Sequence, residues 1–418
     1  MSSESNQQAA PSSSFPPPLA GEDREGAARN VNLTVALCLL CAVLEGFDIQ
    51  AMGVAAPRLV PEFGLSPKQM GLVFSISNIG LVIGAAFGGW LADRVGRKPV
   101  FIGAVATFGV FTLGVALAGN FTMLFVLRFL AGLGFGGAMP NMMAMATELS
   151  APGKRAQTAA IMFCGMPIGG GLAALLTQFL PPEMDWRALF VVGGVLPTLL
   201  VPALWLFMVE TLPPGQHRLA KRHSTWHVLF GDGRAKPSLL LWSAFLPTVL
   251  ILYLILNWLP TLVVAKGFAR SVAPQVAVAF NFVAVVGAML FARWVDQRGT
   301  RTALVVAYVG LIATLMALGA ATNQAVILLL SGVLGFFLLG ANYALYGIAG
   351  SYYPLEMRGT GSGASVAMSR VGSIIGPMLA GVLLGGGATA TNVVQYMAPI
   401  AAVAGVAVVV LSFIRRAE

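Results

Sequence analysis

The chain has 418 residues, 57% of them hydrophobic and 10% charged, with a formal net charge of +9. A soluble domain carries roughly 25% charged residues, so the composition excludes a soluble enzyme and points to a chain that crosses a membrane many times. The positive excess is no nucleic-acid signal, because the basic residues fall at the ends of apolar runs, where membrane topology places them.

Residues 1–30 are rich in Ser, Pro and Gln, with an acidic patch at Glu22, Asp23 and Glu25. With no apolar core and no basic start, they are expected to be a disordered cytoplasmic tail and not a cleaved signal. Runs long enough to span, at about 20 residues each, follow at 31–57, 67–92, 99–119, 121–148, 156–180, 187–209, 238–263, 272–295, 302–320, 324–352, 359–384 and 391–414. The expected fold is an all-α integral membrane protein, with twelve transmembrane helices in two pseudo-symmetric six-helix bundles.

The longest polar break, Glu210 to Pro237, divides the chain into an N-terminal bundle (31–209), a cytoplasmic linker (210–237) and a C-terminal bundle (238–414). Within the linker, His217 to His227 reads either as a short basic helix on the inner leaflet or as a solvated charge run. Lys and Arg mark sides. Arg94, Arg97, Lys98, Lys154, Arg155, Arg234, Lys236, Arg298 and Arg301 fall on one side, with few on the other (Arg58, Lys68, Arg187, Lys266, Arg270). The positive-inside rule then puts both termini in the cytoplasm.

An internal repeat supports the division. Gly84 and Gly287 each stand nine residues before an aspartate (Asp93, Asp296), and Gly96 and Gly299 each stand three after it. The fifth and eleventh runs also echo each other, Gly165-Met166-Pro167-Ile168-Gly169-Gly170 against Gly372-Ser373-Ile374-Ile375-Gly376-Pro377. Two related halves imply rocking around a central site at their interface.

Polar residues inside the runs are the candidates for function. Glu45 and Asp48 lie three residues apart in the first run, on one helix face. A charge at that depth costs roughly 2.5–3.5 kcal/mol on insertion scales and marks a functional site by default. Such a pair is suited to taking and releasing a proton; the competing reading is a pair that only holds helices together. All three histidines (His217, His223, His227) lie in the linker, which leaves carboxylates for proton transfer within the bilayer. Cys38, Cys41 and Cys164 lie in apolar runs and read as small core residues, not as a disulfide or metal set.

Arg370, half-way along the eleventh run, offers a planar fork that matches a carboxylate. Its alternative is a permanent bridge to Asp48 or Glu45. An organic anion entering a negative-inside cell works against about 2.3 kcal/mol per 100 mV, which one co-transported proton cancels. Asn141, Asn257, Trp258, Tyr343 and Tyr346, with Asn342, Asn281, Phe282, Phe47 and Asn78, are candidates to line a pocket for a ring, although packing or interface anchoring is the commoner role for any one of them. Asn141 follows Pro140, which loosens its helix.

In the loop after the second run, Gly89-Trp90-Leu91-Ala92-Asp93-Arg94-Val95-Gly96-Arg97-Lys98, the glycines allow close approach and a sharp turn. Asp93 is placed to accept N–H groups at a neighbouring helix start. Arg94, Arg97 and Lys98 are placed to pair across to the other half as a gate. Asp296, Gly299 and Arg301 form its second copy, with Thr300 in place of an arginine.

This loop resembles the signature of the major facilitator superfamily, a likeness that runs from about residue 31 to the end. The resemblance implies a role in proton transfer for Arg128 in Arg128-Phe129-Leu130-Ala131-Gly132, and matches Gly165–Gly171, Glu148 with Arg155, and Tyr353–Gly359 to family motifs. Leu44-Glu45-Gly46-Phe47-Asp48, Gly137-Ala138-Met139-Pro140-Asn141 and Cys164-Gly165-Met166-Pro167 are more narrowly similar to the aromatic acid:proton symporters, most of all the (hydroxyphenyl)propionate transporters. That implies a proton-coupled importer of an aromatic carboxylate in a bacterial-type inner membrane. It is expected to act as a monomer in lipid, with the proton as coupling ion, no further cofactor and no nucleic-acid partner. Glu45 stands where the symporters commonly carry Asp.

The alternative within transporters is a proton-driven exporter of drugs or other organic compounds, which shares the Gly/Pro motif of the fifth run. A non-transporting receptor of the same fold usually carries a long signalling tail, whereas Glu418 lies only four residues past the last run. No nucleophile triad, metal cluster or nucleotide loop points to an enzyme. The glycines at 132–137 follow no strand and are not a dinucleotide fingerprint.

Overall fold

The computed structural model describes residues 24–151, 153–179, 186–212 and 224–414. Among these residues the long apolar runs are all helical, as hydrocarbon demands of a backbone with no water to bond. The first half holds α1 (Arg24–Phe63), α2 (Pro67–Val95), α3 (Arg97–Val115), α4 (Phe121–Glu148), α5 (Arg155–Phe179) and α6 (Arg187–Phe207). A short α7 (Thr225–Phe230) lies in the connection. The second half holds α8 (Ala235–Ala265), α9 (Val272–Arg298), α10 (Thr300–Ala320), α11 (Gln324–Ala349), α12 (Arg358–Gly385), α13 (Ala390–Gln395) and α14 (Met397–Leu411). The last two form one crossing, broken at Tyr396, so that among the described residues 12 segments are long and apolar enough to span.

Local chemistry sets several helix starts. Ser66 and Gln69 form a capping box ahead of Pro67, with Ser66 N–H donating to Gln69 Oε1 at 2.9 Å. Asn120 Oδ1 accepts from Met123 N–H at 2.9 Å to start α4, and Asn323 Oδ1 from Ala325 N–H at 2.8 Å to start α11.

Three expectations shift. Helix α1 begins at Arg24, so residues 24–30, expected in a disordered tail, are helical; residues 1–23 lie outside the described residues. Helix α8 begins at Ala235, inside the expected linker. Of the segment His217 to His227, residues 217–223 lie outside the described residues; Thr225 to His227 fall in α7, whose Trp226 packs on Phe230 at 4.5 Å between ring centroids.

The repeat is visible atom by atom. A Cβ on Gly84 would strike the Leu133 carbonyl, and one on Gly287 the Phe336 carbonyl. A Cβ on Gly132 would strike Ser77 O, and one on Gly335 Phe280 O. Each pair keeps the sequence offset that separates Gly84 from Gly287, so α2 on α4 and α9 on α11 are one motif used twice. The helix-5 echo follows the same offset and not the expected one. Gly169 meets the Val43 carbonyl and Gly372 the Leu246 carbonyl, so Gly372 corresponds to Gly169 and not to Gly165. The expected register was one helical turn out.

The halves meet most extensively along two repeat-related contacts, α2 with α12 and α5 with α9, and α1 also packs on α8. Away from the basic loops the first contact is backbone to backbone: Gly71 lies against Pro377 and Gly381, and Ser75 Oγ–H donates to Ile374 O at 2.7 Å. Toward the basic end, Gly359 and Gly363 of α12 face open space. Small residues permit this closeness where lipid offers helices no hydrophobic drive to associate.

Candidate functional site

A cavity of about 60 Å³ lies between the halves, at the kind of interface where small-molecule sites occur. Its wall includes Gly46, Ile49 and Gln50 of α1, Met139 of α4, Phe163 and Pro167 of α5, Val249, Leu252 and Tyr253 of α8, Asn281 of α9, Asn342, Tyr343 and Tyr346 of α11, and Arg370 of α12. Much of this wall is built of repeat partners. Gly46 with Val249, Ile49 with Leu252, Gln50 with Tyr253, Met139 with Asn342 and Pro167 with Arg370 all share the Gly84–Gly287 offset. The cavity therefore sits on the pseudo-two-fold axis, where a rocking motion moves the wall least.

Arg370 is the cation of this wall. Its Nη1–H donates to the Tyr253 hydroxyl at 3.3 Å, and Nη2 lies 3.2 Å from Met139 Sδ of the opposite half. Among the described residues no carboxylate comes within 4.0 Å of it. The expected alternative, a permanent bridge to Asp48 or Glu45, is not formed. An unpaired guanidinium inside a membrane protein is costly and receptive to an anion.

The two acids of α1 take different surroundings. Asp48 is fully buried, and its Oδ2 accepts from Arg128 Nη1–H at 2.8 Å, with Arg128 itself 2% exposed. Glu45 is buried without a hydrogen-bond partner for Oε1, and it interacts electrostatically with Arg370 and with Asp48. Of the proton-coupling candidates, Asp48 and Arg128 are thus one ion pair, and Glu45 feels the charges of both Arg370 and Asp48. A second, smaller cavity adjoins the ion pair, lined by Ser77, Asn78, Arg128 and Asn257 among others.

Among the expected substrate contacts, Arg370, Tyr343 and Tyr346 are on the main wall. The Tyr343 hydroxyl donates to Phe163 O at 2.8 Å, and Phe163 packs on both tyrosine rings with centroids 5.6 Å away. These contacts bridge α5 and α11 across the halves. Asn141 turns back to its own helix, donating to Gly137 O at 2.8 Å. Asn257 donates to Tyr253 O at 2.7 Å and faces the smaller cavity. Trp258 Nε1–H donates to Pro377 O at 2.9 Å while its ring meets Phe74, so it packs the halves together away from the wall. Gln50, Met139, Phe163 and Tyr253 were not anticipated; Gln50 carried the one available signal, a polar side chain two residues past Asp48.

The expected gate loop is arranged differently. Gly96 and Gly299 make the same turn, with φ 97° and 85° and ψ 160° and 159°, each ending one helix and starting the next. This left-handed conformation favours glycine. The start of α3 is capped by Glu210, whose carboxylate accepts from Arg97 N–H at 3.1 Å and Lys98 N–H at 2.9 Å. The exposed Asp93, expected in that role, has no such bond. Arg97 pairs with Glu148, and Arg94 lies 4.0 Å above the Trp90 ring. Arg301 lies 4.2 Å over Phe413. Arg94 and Arg97, expected to reach across the gate, and Arg301 of its second copy are thus held within their own halves. Gly89 faces open space, and the Asp296 side chain lies outside the described residues.

Residues 38–377 and 267–418 match the family model described as Major Facilitator Superfamily. The chain is 39% identical over 380 residues to the 3-(3-hydroxy-phenyl)propionate transporter of Escherichia coli (strain K12), covering 91% of this chain and 93% of that one. It is 32% identical to the gallate transporter of Pseudomonas putida, over 84% of this chain and 85% of that one. It is 32% identical to a 4-hydroxybenzoate transporter of the same species, over 92% and 93%. A bacterial homolog of the human lysosomal transporter Spinster, inward-facing and unoccupied, superposes with a TM-score of 0.72 at 18% identity, covering 92% of this chain and 97% of that one. The nucleoside transporter NupG superposes with a TM-score of 0.74 at 13% identity, over 91% and 99%. At these identities the likeness to solved structures shows the fold.

Proposed function

Because the chain belongs to the Major Facilitator Superfamily, we propose that it imports a small aromatic carboxylic acid together with protons, by alternating access. The basic end faces the cytoplasm of a bacterial inner membrane. The observation that carries this reading is Arg370, a guanidinium with no carboxylate partner among the described residues, on the wall of a largely apolar cavity between the halves. It supplies the counter-charge for a carboxylate, and Phe163, Tyr343 and Tyr346 supply ring faces. Relatives that share nine-tenths of the chain are named for hydroxyphenylpropionate and hydroxybenzoate, which supports an acid of this class.

In this cycle Asp48 gives up its bond to Arg128 when protonated, and Glu45 relays the charge change to Arg370. The halves then rock about the cavity, opening and closing the α2–α12 and α5–α9 contacts in turn.

The deciding experiment is uptake of labelled 3-(3-hydroxyphenyl)propionate into proteoliposomes, with and without an inward proton gradient. Accumulation above equilibrium only with the gradient is expected. Gradient-independent uptake removes proton coupling, and no uptake of any aromatic acid removes the reading.

A further inference from the structure

The repeat makes Asn281 of α9 the partner of Asn78 of α2. Each sends Nδ2–H to the carbonyl four residues earlier, Ala277 O at 2.8 Å and Phe74 O at 3.2 Å. Only Asn281 makes a second bond: its Nδ2–H also donates to Gln50 Oε1 at 2.7 Å, crossing from one half to the other on the cavity wall.

These bonds fix which way both amides point. With its nitrogen held by two acceptors, the other amide atom of Asn281 is its oxygen, and that oxygen is buried with no donor. Gln50 accepts through Oε1, so its remaining polar atom is the donor Nε2, which takes part in none of the hydrogen bonds among the described residues. The pair is firmly seated. A Cβ on Gly170 of α5 would fall on the Gln50 carboxamide, and one on Gly171 would meet the Phe282 ring at 3.0 Å. The glycine run of the fifth helix is the bed on which this bridge rests.

The wall therefore holds one unused acceptor and one unused donor on adjoining amides, with Arg370 elsewhere on the same wall. A phenolic hydroxyl donates once and accepts once, and it is the matching group. We infer that the Gln50–Asn281 bridge reads the ring hydroxyl of the acid whose carboxylate Arg370 holds, and so selects hydroxylated over plain aromatic acids. This rests on the aromatic acid reading proposed above. A ring without the hydroxyl leaves the Asn281 oxygen without a donor, a loss worth about tenfold to a hundredfold in affinity.

The test is binding of 3-(3-hydroxyphenyl)propionate and 3-phenylpropionate to the purified full-length protein in lipid nanodiscs by calorimetry. The intact protein should prefer the hydroxylated acid by at least about tenfold. Asn281→Leu and Gln50→Met should each reduce that preference to about threefold or less. Retained 3-phenylpropionate binding shows that a variant is folded, and Gln50→Met, which keeps side-chain length, decides if Asn281→Leu is not. Equal affinity of the intact protein for both acids, or an unchanged preference in the folded variants, overturns the inference and leaves the aromatic acid reading standing. Binding of neither acid overturns both.

Discussion

Arg128 Nη1 stands 2.8 Å from Asp48 Oδ2, and neither side chain is more than 2% exposed. The repeat gives this pair no twin, since the equivalent positions are Ile251 and Ser331, and the Ser331 hydroxyl only returns to Ile327 O. Among the described residues the first half alone carries a buried ion pair. Removing one member of such a pair leaves an uncompensated charge and costs about 3–5 kcal/mol, whereas removing both charges together is often close to neutral. Arg128→Ala should therefore lower the melting temperature in detergent sharply. The double variant Asp48→Asn/Arg128→Gln should recover most of that loss and still fail to accumulate substrate against its gradient. Recovery of gradient-driven uptake along with stability would show the pair to be structural only.

Glu45 lies in the same helix but answers to a different partner, the Arg370 charge. Glu45→Gln keeps the shape and removes the titratable group. Exchange of labelled for unlabelled acid across the membrane needs no net proton movement, so it should persist in this variant while accumulation driven by a pH gradient is lost. Loss of both in a folded variant would place Glu45 in the binding wall, and retention of both would remove it from coupling.

The helices and their pairing were legible because each crossing needs a continuous apolar run, and because Gly84 and Gly287 mark the same approach of α2 to α4 and of α9 to α11. The register of the fifth and eleventh runs was not. Glycines recur there one helical turn apart, at 165 and 169 and at 372 and 376, so the residue pattern fits two alignments. Only the contact of Gly169 with α1 and of Gly372 with α8 chooses between them. Direction around the helix was equally hidden. A helix buried on most sides has no polar stripe to orient it, so Asn141, Asn257 and Trp258 had the right depth without facing the main cavity. Arg370 was legible because a lone intramembrane guanidinium is rare enough to stand out in any direction.

Glu210 illustrates a contact that no local pattern announces, since its partners Arg97 N–H and Lys98 N–H lie more than a hundred residues earlier. It ties the end of the first bundle to the start of α3. Glu210→Ala removes a cap from two otherwise orphaned N–H groups, which costs about 0.5–2 kcal/mol. A fall in thermal stability without loss of substrate affinity is expected. An unchanged melting temperature would show that water replaces the carboxylate at no cost.

The positions of Pro167 and Arg370 complete the division of labour. They are repeat partners on one wall, yet the first half places a proline there and the second a guanidinium. On the proposed reading, proton chemistry falls to the first half and anion chemistry to the second, and the two meet across the cavity, where Arg370 reaches Met139 of the opposite half at 3.2 Å. A lysine in place of Arg370 keeps the charge but loses the two-pronged geometry that fits a carboxylate and the second contact to Tyr253. Hydrogen bonds to a charged group are worth about 1.5–3 kcal/mol, so Arg370→Lys should weaken acid binding by roughly tenfold to a hundredfold. Competition by the methyl ester of the same acid should change little, because the ester offers no charge for either side chain to hold. If the free acid and its ester lose affinity equally, Arg370 supports the fold of the cavity and does not hold the carboxylate.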